Sequence, residues 1–166
     1  MTAGTTKIHA EGRTLRFTRW FRAPRLLVWK AFEDPYLLAR WWGPEGFTCP
    51  VARLDFRVGG EWHTVMRSPD GVEISSAFVF TEILRPERIS YRSVPRDSAF
   101  WNGNPPPPYS STIVFSERDG GTELTMTTEF ATEQLVQDAM VRGFAEGVAQ
   151  AHNKLERLLL ARTEQS

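Results

Sequence analysis

Residues 47–130 form a series of alternating apolar and polar runs, and every connection between them but one is short. Parallel neighbours need a return path of about a dozen residues or more, whereas antiparallel neighbours can be joined by a tight turn. The pattern therefore predicts an antiparallel meander. Ala52, Leu54, Phe56 and Val58 alternate with Arg53, Asp55 and Arg57, and Trp62, Thr64 and Met66 alternate with Glu61, His63 and Val65. Gly59-Gly60 between these runs reads as a hairpin corner or bulge. Further strands are expected at 72–84, 88–94, 110–117 and 122–130. Ser68-Pro69-Asp70-Gly71, Arg85-Pro86-Glu87 and Asp119-Gly120-Gly121 supply turn chemistry between neighbours.

The flanks carry a different period. Thr14–Arg22 alternates once more, with Leu15, Phe17, Arg19 and Phe21 on one side. Ala23-Pro24 then opens a helix in which Leu27, Val28, Ala31 and Phe32 recur at helical spacing. Asp34-Pro35 opens a second short helix through Trp42, which Gly43-Pro44 ends. From Thr132 to about Ala161, Met140, Phe144, Val148, Ala151, Leu155 and Leu158 fall on one face. A single helix of that length spans ~45 Å, enough to cross the whole sheet. The expected fold is α+β: a curved antiparallel sheet wrapped around a long C-terminal helix, with two short helices after the first strand. The expected boundaries are a flexible N-terminal arm over 1–13, one domain over 14–162 and a tail over 163–166.

Charge and cysteine content narrow the function classes. Twenty basic residues balance twenty acidic ones, so no global field recruits nucleic acid or an anionic membrane surface. Cys49 is the only cysteine, which rules out an intramolecular disulfide and a cysteine-based zinc site. No run approaches the ~20 apolar residues needed for membrane insertion, and Met1–Gly12 does not read as a secretory signal. A cytoplasmic location is the default expectation.

Several stretches in this order resemble the helix-grip fold of the SRPBCC superfamily, which includes START lipid-transfer domains, the birch-pollen allergen family and polyketide cyclases. They are Phe21-Arg22-Ala23-Pro24 with Val28-Trp29; Trp41-Trp42-Gly43-Pro44; Asp55-Phe56-Arg57-Val58-Gly59-Gly60-Glu61-Trp62 with Met66; Pro69-Asp70-Gly71; Glu82-Ile83 with Pro86-Glu87-Arg88-Ile89; and Gly121-Thr122-Glu123-Leu124. More narrowly, the chain resembles bacterial domains related to the C-terminal domain of the activator of heat-shock protein 90 ATPase. The resemblance implies an internal cavity between the sheet and the last helix, holding a hydrophobic or aromatic small molecule such as a lipid or polyketide. Such proteins often read Gly-x-x-x-Gly-Trp in the last helix. Here Gly143 and Gly147 are kept and Val148 stands in place of the tryptophan, which implies extra interior volume unless Phe144 or a strand residue fills it.

No metal or nucleophile motif is present: HExxH, paired histidines at ligand spacing and a Gly-x-Ser-x-Gly elbow are all missing from the sequence. No cofactor and no metal are expected. His63 alternates with the apolar side of its strand and is expected to point away from the cavity. The carboxylates Asp55, Glu61, Glu73, Glu82 and Glu123, opposite Arg53, Arg57, Arg67 and Arg88, read as a solvated outer face.

The remaining signal is aromatic and sulfur-rich. Candidate ligand-binding residues are Trp42 after the second helix, with Phe56, Trp62 and Met66 on the early strands. Trp101 and Tyr109 follow at the long connection, and Met126 and Phe130 on the last strand. Met140, Phe144, Val148 and His152 belong to the helix, His152 with a structural or solvent-facing role as its alternative. The same residues would equally fill a solid core. A cyclase- or hydrolase-type enzyme is the rival reading, with Tyr109, His152 and Arg142 as its polar candidates; a co-chaperone-like interaction domain is another. The proline-rich connection Pro95–Pro108 carries Phe100 and Trp101, which are expected either to cap the cavity mouth or to form a homodimer contact.

Overall fold

The computed structural model describes residues 5–103 and 105–164. The strands are β1 (Lys7–Glu11), β2 (Thr14–Phe21), β3 (Thr48–Leu54), β4 (Glu61–Arg67), β5 (Glu73–Leu84), β6 (Arg88–Ser93), β7 (Tyr109–Arg118) and β8 (Gly121–Phe130). Helices α1 (Arg25–Glu33) and α2 (Pro35–Trp41) follow β2, and α3 (Glu133–Val141) and α4 (Phe144–Glu164) follow β8. The eight strands form one sheet in the order β1-β2-β8-β7-β6-β5-β4-β3, with antiparallel neighbours throughout. This is the helix-grip arrangement, with α4 on the concave face.

Strand alternation decides what faces inward. On β2, Leu15, Phe17, Arg19 and Phe21 are buried while Arg16 is exposed. On β8, Leu124, Met126, Thr128 and Phe130 are buried. The turn before β4 depends on a glycine with no room for a side chain. A Cβ at Gly60 would lie 2.0 Å from the Asp55 carbonyl oxygen, so the corner closes only around a bare backbone. This corner also shortens β3. The chain leaves the sheet after Leu54, so Phe56 swings into the core while Val58 is exposed.

Three expectations are corrected. Residues 7–11 of the expected free arm form an edge strand paired along β2 from Lys7↔Thr18 to Glu11↔Thr14; residues 1–4 lie outside those described. All five residues of β1 are exposed, so no buried face marked this strand in the sequence. The single helix expected from Thr132 is two helices, because Gly143 adopts φ +86° and turns the chain between α3 and α4. Residues 163 and 164 of the expected tail belong to α4, which runs to Glu164, and residues 165–166 lie outside those described.

The concave side divides into two unequal halves. Toward the C-terminal end of α4, Leu155, Leu158 and Leu159 pack with α1 and the sheet into a closed core. There Trp29 meets Phe115 edge-on at 5.1 Å and Phe56 at 5.8 Å, and Phe32 meets Phe115 at 5.2 Å. Toward the start of α4 the packing opens.

Candidate functional site

A cavity of about 450 Å³ lies between the concave sheet and the N-terminal half of α4. Its floor is built from strands that alternation turned inward: Tyr91 of β6, Tyr109, Ser111 and Ile113 of β7, and Met126 and Phe130 of β8. Phe144, Val148, Ala151 and His152 of α4 form one wall. Trp42, Pro44, Phe47 and Met66 form the opposite side, and Leu135, Asp138 and Arg142 bring α3 to the mouth.

The Trp42–Phe47 segment is held from α4. Lys154 Nζ donates to the carbonyl oxygens of Trp42, Gly43, Pro44 and Phe47 at 3.2–3.4 Å. Glu45 on the same segment pairs with Arg157, at 2.6 Å between Oε1 and Nη2. Two charged residues one turn apart on α4 therefore fix the wall that carries Trp42.

Eight of the twelve expected residues line this cavity: Trp42 and Met66; Tyr109, Met126 and Phe130; and Phe144, Val148 and His152. Four do not. Trp62 stands one layer behind the wall, 1% exposed, meeting Trp42 edge-on at 4.7 Å and 5.3 Å from Tyr91, with its N–H donated to Thr64 Oγ1. Phe56 belongs to the closed core. Met140 is 41% exposed on α3, beside an 88% exposed Val141, because the chain turn at Gly143 takes α3 out of line with α4.

Trp101 lies on the other side of the sheet. It packs in a small outer cluster with Ala77 and Val94, and its indole N–H donates to the carbonyls of Val94 and Pro95 at 3.3 and 3.1 Å. The indole is 9% exposed and faces away from the cavity, so it does not cap the mouth as expected. Pro106 and Pro107 from the same connection reach the cavity instead. His63 is on the outer face as expected, bonded to Glu61 at 2.6 Å and 4.6 Å from the Phe100 ring. The expected cross-strand ion pairs form between Arg67 and Glu73 and between Arg88 and Glu82, while Arg57 pairs with Asp55 on its own segment.

Sequence reasoning passed over Phe32, Trp41, Tyr91 and Ser111. Tyr91 was within reach, since it follows Ile89 on the inward side of β6. Ser111, a small polar residue on an inward position, carried no apolar signal at all; its Oγ sits 2.8 Å from Thr128 Oγ1.

The polar groups in this wall are strongly desolvated. Burial pushes the Tyr91 phenol up to about 12, opposed by a hydrogen bond with Ser111. Burial, then the neighbouring Tyr91, also raises Tyr109. His152 moves the other way, down to about 3, because burial and then the Arg19 guanidinium disfavour its cation. At neutral pH all three are uncharged. Among the described residues no group of three His, Cys, Asp or Glu could hold a metal ion, and no helix is long and apolar enough to cross a membrane.

Known proteins place this architecture. No curated protein matches the sequence. A crystal structure of a Mycobacterium smegmatis protein is 28% identical with a TM-score of 0.81, covering 97% of this chain and 99% of that one. One from Nitrosomonas europaea is 27% identical with a TM-score of 0.80, covering 91% and 96%. A Rhodobacter sphaeroides protein at 22% identity shares the fold, with a TM-score of 0.81 over 94% of this chain and 98% of that one. The family model for activator of Hsp90 ATPase homolog 1-like proteins matches residues 22–160. The chain belongs to that family, and through it to the SRPBCC superfamily, whose fold commonly binds hydrophobic ligands.

Proposed function

We propose that this protein binds a neutral apolar or aromatic small molecule in the cavity between the sheet and α4. The observation that carries this reading is the cavity itself: about 450 Å³, within the range of small-molecule sites, walled mainly by aromatic rings, methionines and aliphatic groups. A ligand burying ~300 Å² of apolar surface there gains roughly 7 kcal/mol before the cost of lost freedom. Micromolar affinity then needs no charged anchor.

The polar groups favour a binder over a catalyst. A general base works best with a pKa near the operating pH, and His152 at about 3 is far from it. Tyr109 is raised rather than lowered, which opposes a nucleophilic phenolate. Arg142, the third candidate of the enzyme reading, caps α3 at the exposed mouth.

The test uses N-phenyl-1-naphthylamine, a neutral probe that brightens in apolar sites. Titration should give saturable micromolar binding, with energy transfer from the tryptophans around the cavity. Val148→Trp, which puts an indole into the cavity wall, should abolish it while the variant stays folded by circular dichroism. Absence of saturable binding, or binding untouched by Val148→Trp, overturns the reading.

A further inference from the structure

One side chain in the cavity wall is polar, 3% exposed and only half used. His152 Nδ1 lies 2.9 Å from Thr6 Oγ1, and the ring packs edge-on against Phe21 at 5.9 Å. Its Nε2 has no protein partner among the described residues, and the side chain borders the cavity.

The tautomer follows from what stands behind it. Arg19 Nη1 approaches Thr6 Oγ1 at 3.4 Å, and a guanidinium can only donate. The hydroxyl oxygen accepts from Arg19 and directs its own hydrogen to His152 Nδ1. That leaves the proton of the neutral ring on Nε2. The reverse tautomer would leave the hydroxyl hydrogen without a protein acceptor and turn an N–H toward the Arg19 cation. Arg19 is itself held in place: it is 3% exposed, bonded to Asn153 Oδ1 at 2.6 Å and paired with Glu156 at 3.2 Å.

Building on the binding function above, we propose that His152 Nε2–H is a fixed, uncharged hydrogen-bond donor. The natural ligand is then an aromatic or polycyclic molecule bearing a carbonyl-type acceptor, a ketone or quinone, rather than a plain hydrocarbon. A buried donor left unpaired is costly, so the wall discriminates against a ligand that lacks the acceptor. A neutral ring bonds a carbonyl well and offers no counter-charge to a carboxylate. The segment carrying Thr6, ahead of β1, is thereby part of the site although it does not line it.

Two rigid tricyclic probes of nearly equal shape, fluorene and 9-fluorenone, test this by calorimetric titration. Wild type should bind fluorenone about tenfold more tightly than fluorene, the size expected of one neutral hydrogen bond to a buried donor. His152→Phe keeps the edge-on contact with Phe21 and should erase the preference while retaining fluorene binding. Thr6→Val, outside the lining, should reduce it. Equal affinities in wild type, or a preference that survives His152→Phe, overturn the proposal and leave the apolar-binding function standing. If neither probe binds, the proposal falls, and the naphthylamine titration decides the apolar-binding function separately. Nitrogen-15 imidazole spectra of the wild-type protein give a reading independent of any variant's folding. Protonated Nε2 with a bare Nδ1 is expected, and the opposite pattern overturns the proposal.

Discussion

Lys154 Nζ lies 3.2 Å from the carbonyl oxygen of Phe47, and this contact ties the middle of α4 to the far side of the cavity mouth. Burial holds the lysine below its ordinary pKa, opposed by Glu45. Lys154→Met keeps the stem and removes the donor. The expected loss is about 1–2 kcal/mol in chemical unfolding, with faster amide exchange confined mainly to residues 42–47. Unchanged exchange there would show that the loop is held without the lysine.

Acid should reveal His152. The unfolded chain takes up a proton near pH 6.5 while the folded ring stays neutral to about 3, so the unfolded state binds more protons between those values. Stability from this group is therefore complete above about pH 6.5 and declines as the pH falls. Other groups titrate in the same range, so the comparison is with His152→Phe. Wild type should lose about 2–3 kcal/mol more than the variant between about pH 7.5 and 4.5. Parallel pH profiles for the two proteins would contradict the buried, neutral state.

Trp101 should behave as a structural residue. Trp101→Ala removes an indole from the outer face of β5 and its neighbours, and the expected loss is about 3 kcal/mol in unfolding free energy. Release of a cavity-bound probe, followed by stopped-flow fluorescence, should keep its wild-type rate, since the indole and the cavity lie on opposite faces of the sheet. Accelerated release would mean that the outer cluster props the proline segment at the mouth.

The corner before β4 offers a contrast between adjacent glycines. Gly59 has φ +85° and open space where a Cβ would go, so Gly59→Ala should cost about 1–2 kcal/mol, the price of a left-handed alanine. Gly60→Ala drives a methyl into the Asp55 carbonyl and should cost about 3 kcal/mol or more. Thermal denaturation of the two variants decides it, and equal losses would mean that the corner yields.

The meander was legible because each strand from β4 to β8 has one buried face and every connection among them but the β6–β7 segment is a turn with its own chemistry. β1 was not, since Lys7–Glu11 buries no face and is recognised only by its hydrogen bonds to β2. The break before α4 was hidden because Met140 and Phe144 keep helical spacing across Gly143, so the apolar pattern continues where the axis does not. Alternation also reported which side of a strand turns inward, but not whether the space there is filled. Trp42 and Trp62 look alike in sequence, yet one lines the cavity and the other backs it. The Thr6–His152 contact joins residues 146 apart, and no local pattern encodes it.

The uneven packing along α4 separates two burdens that most small proteins place on the same residues. Trp29, Phe115 and Leu155 close the solid end and border no part of the cavity, while Val148 and Met126 border the hollow end, where a change of volume meets empty space. Substitutions at Val148 change the shape of the hollow end, while the ring contacts of Trp29 and Phe115 in the solid end are left as they are. A scaffold built this way can reshape its hollow end while its solid end keeps the chain folded.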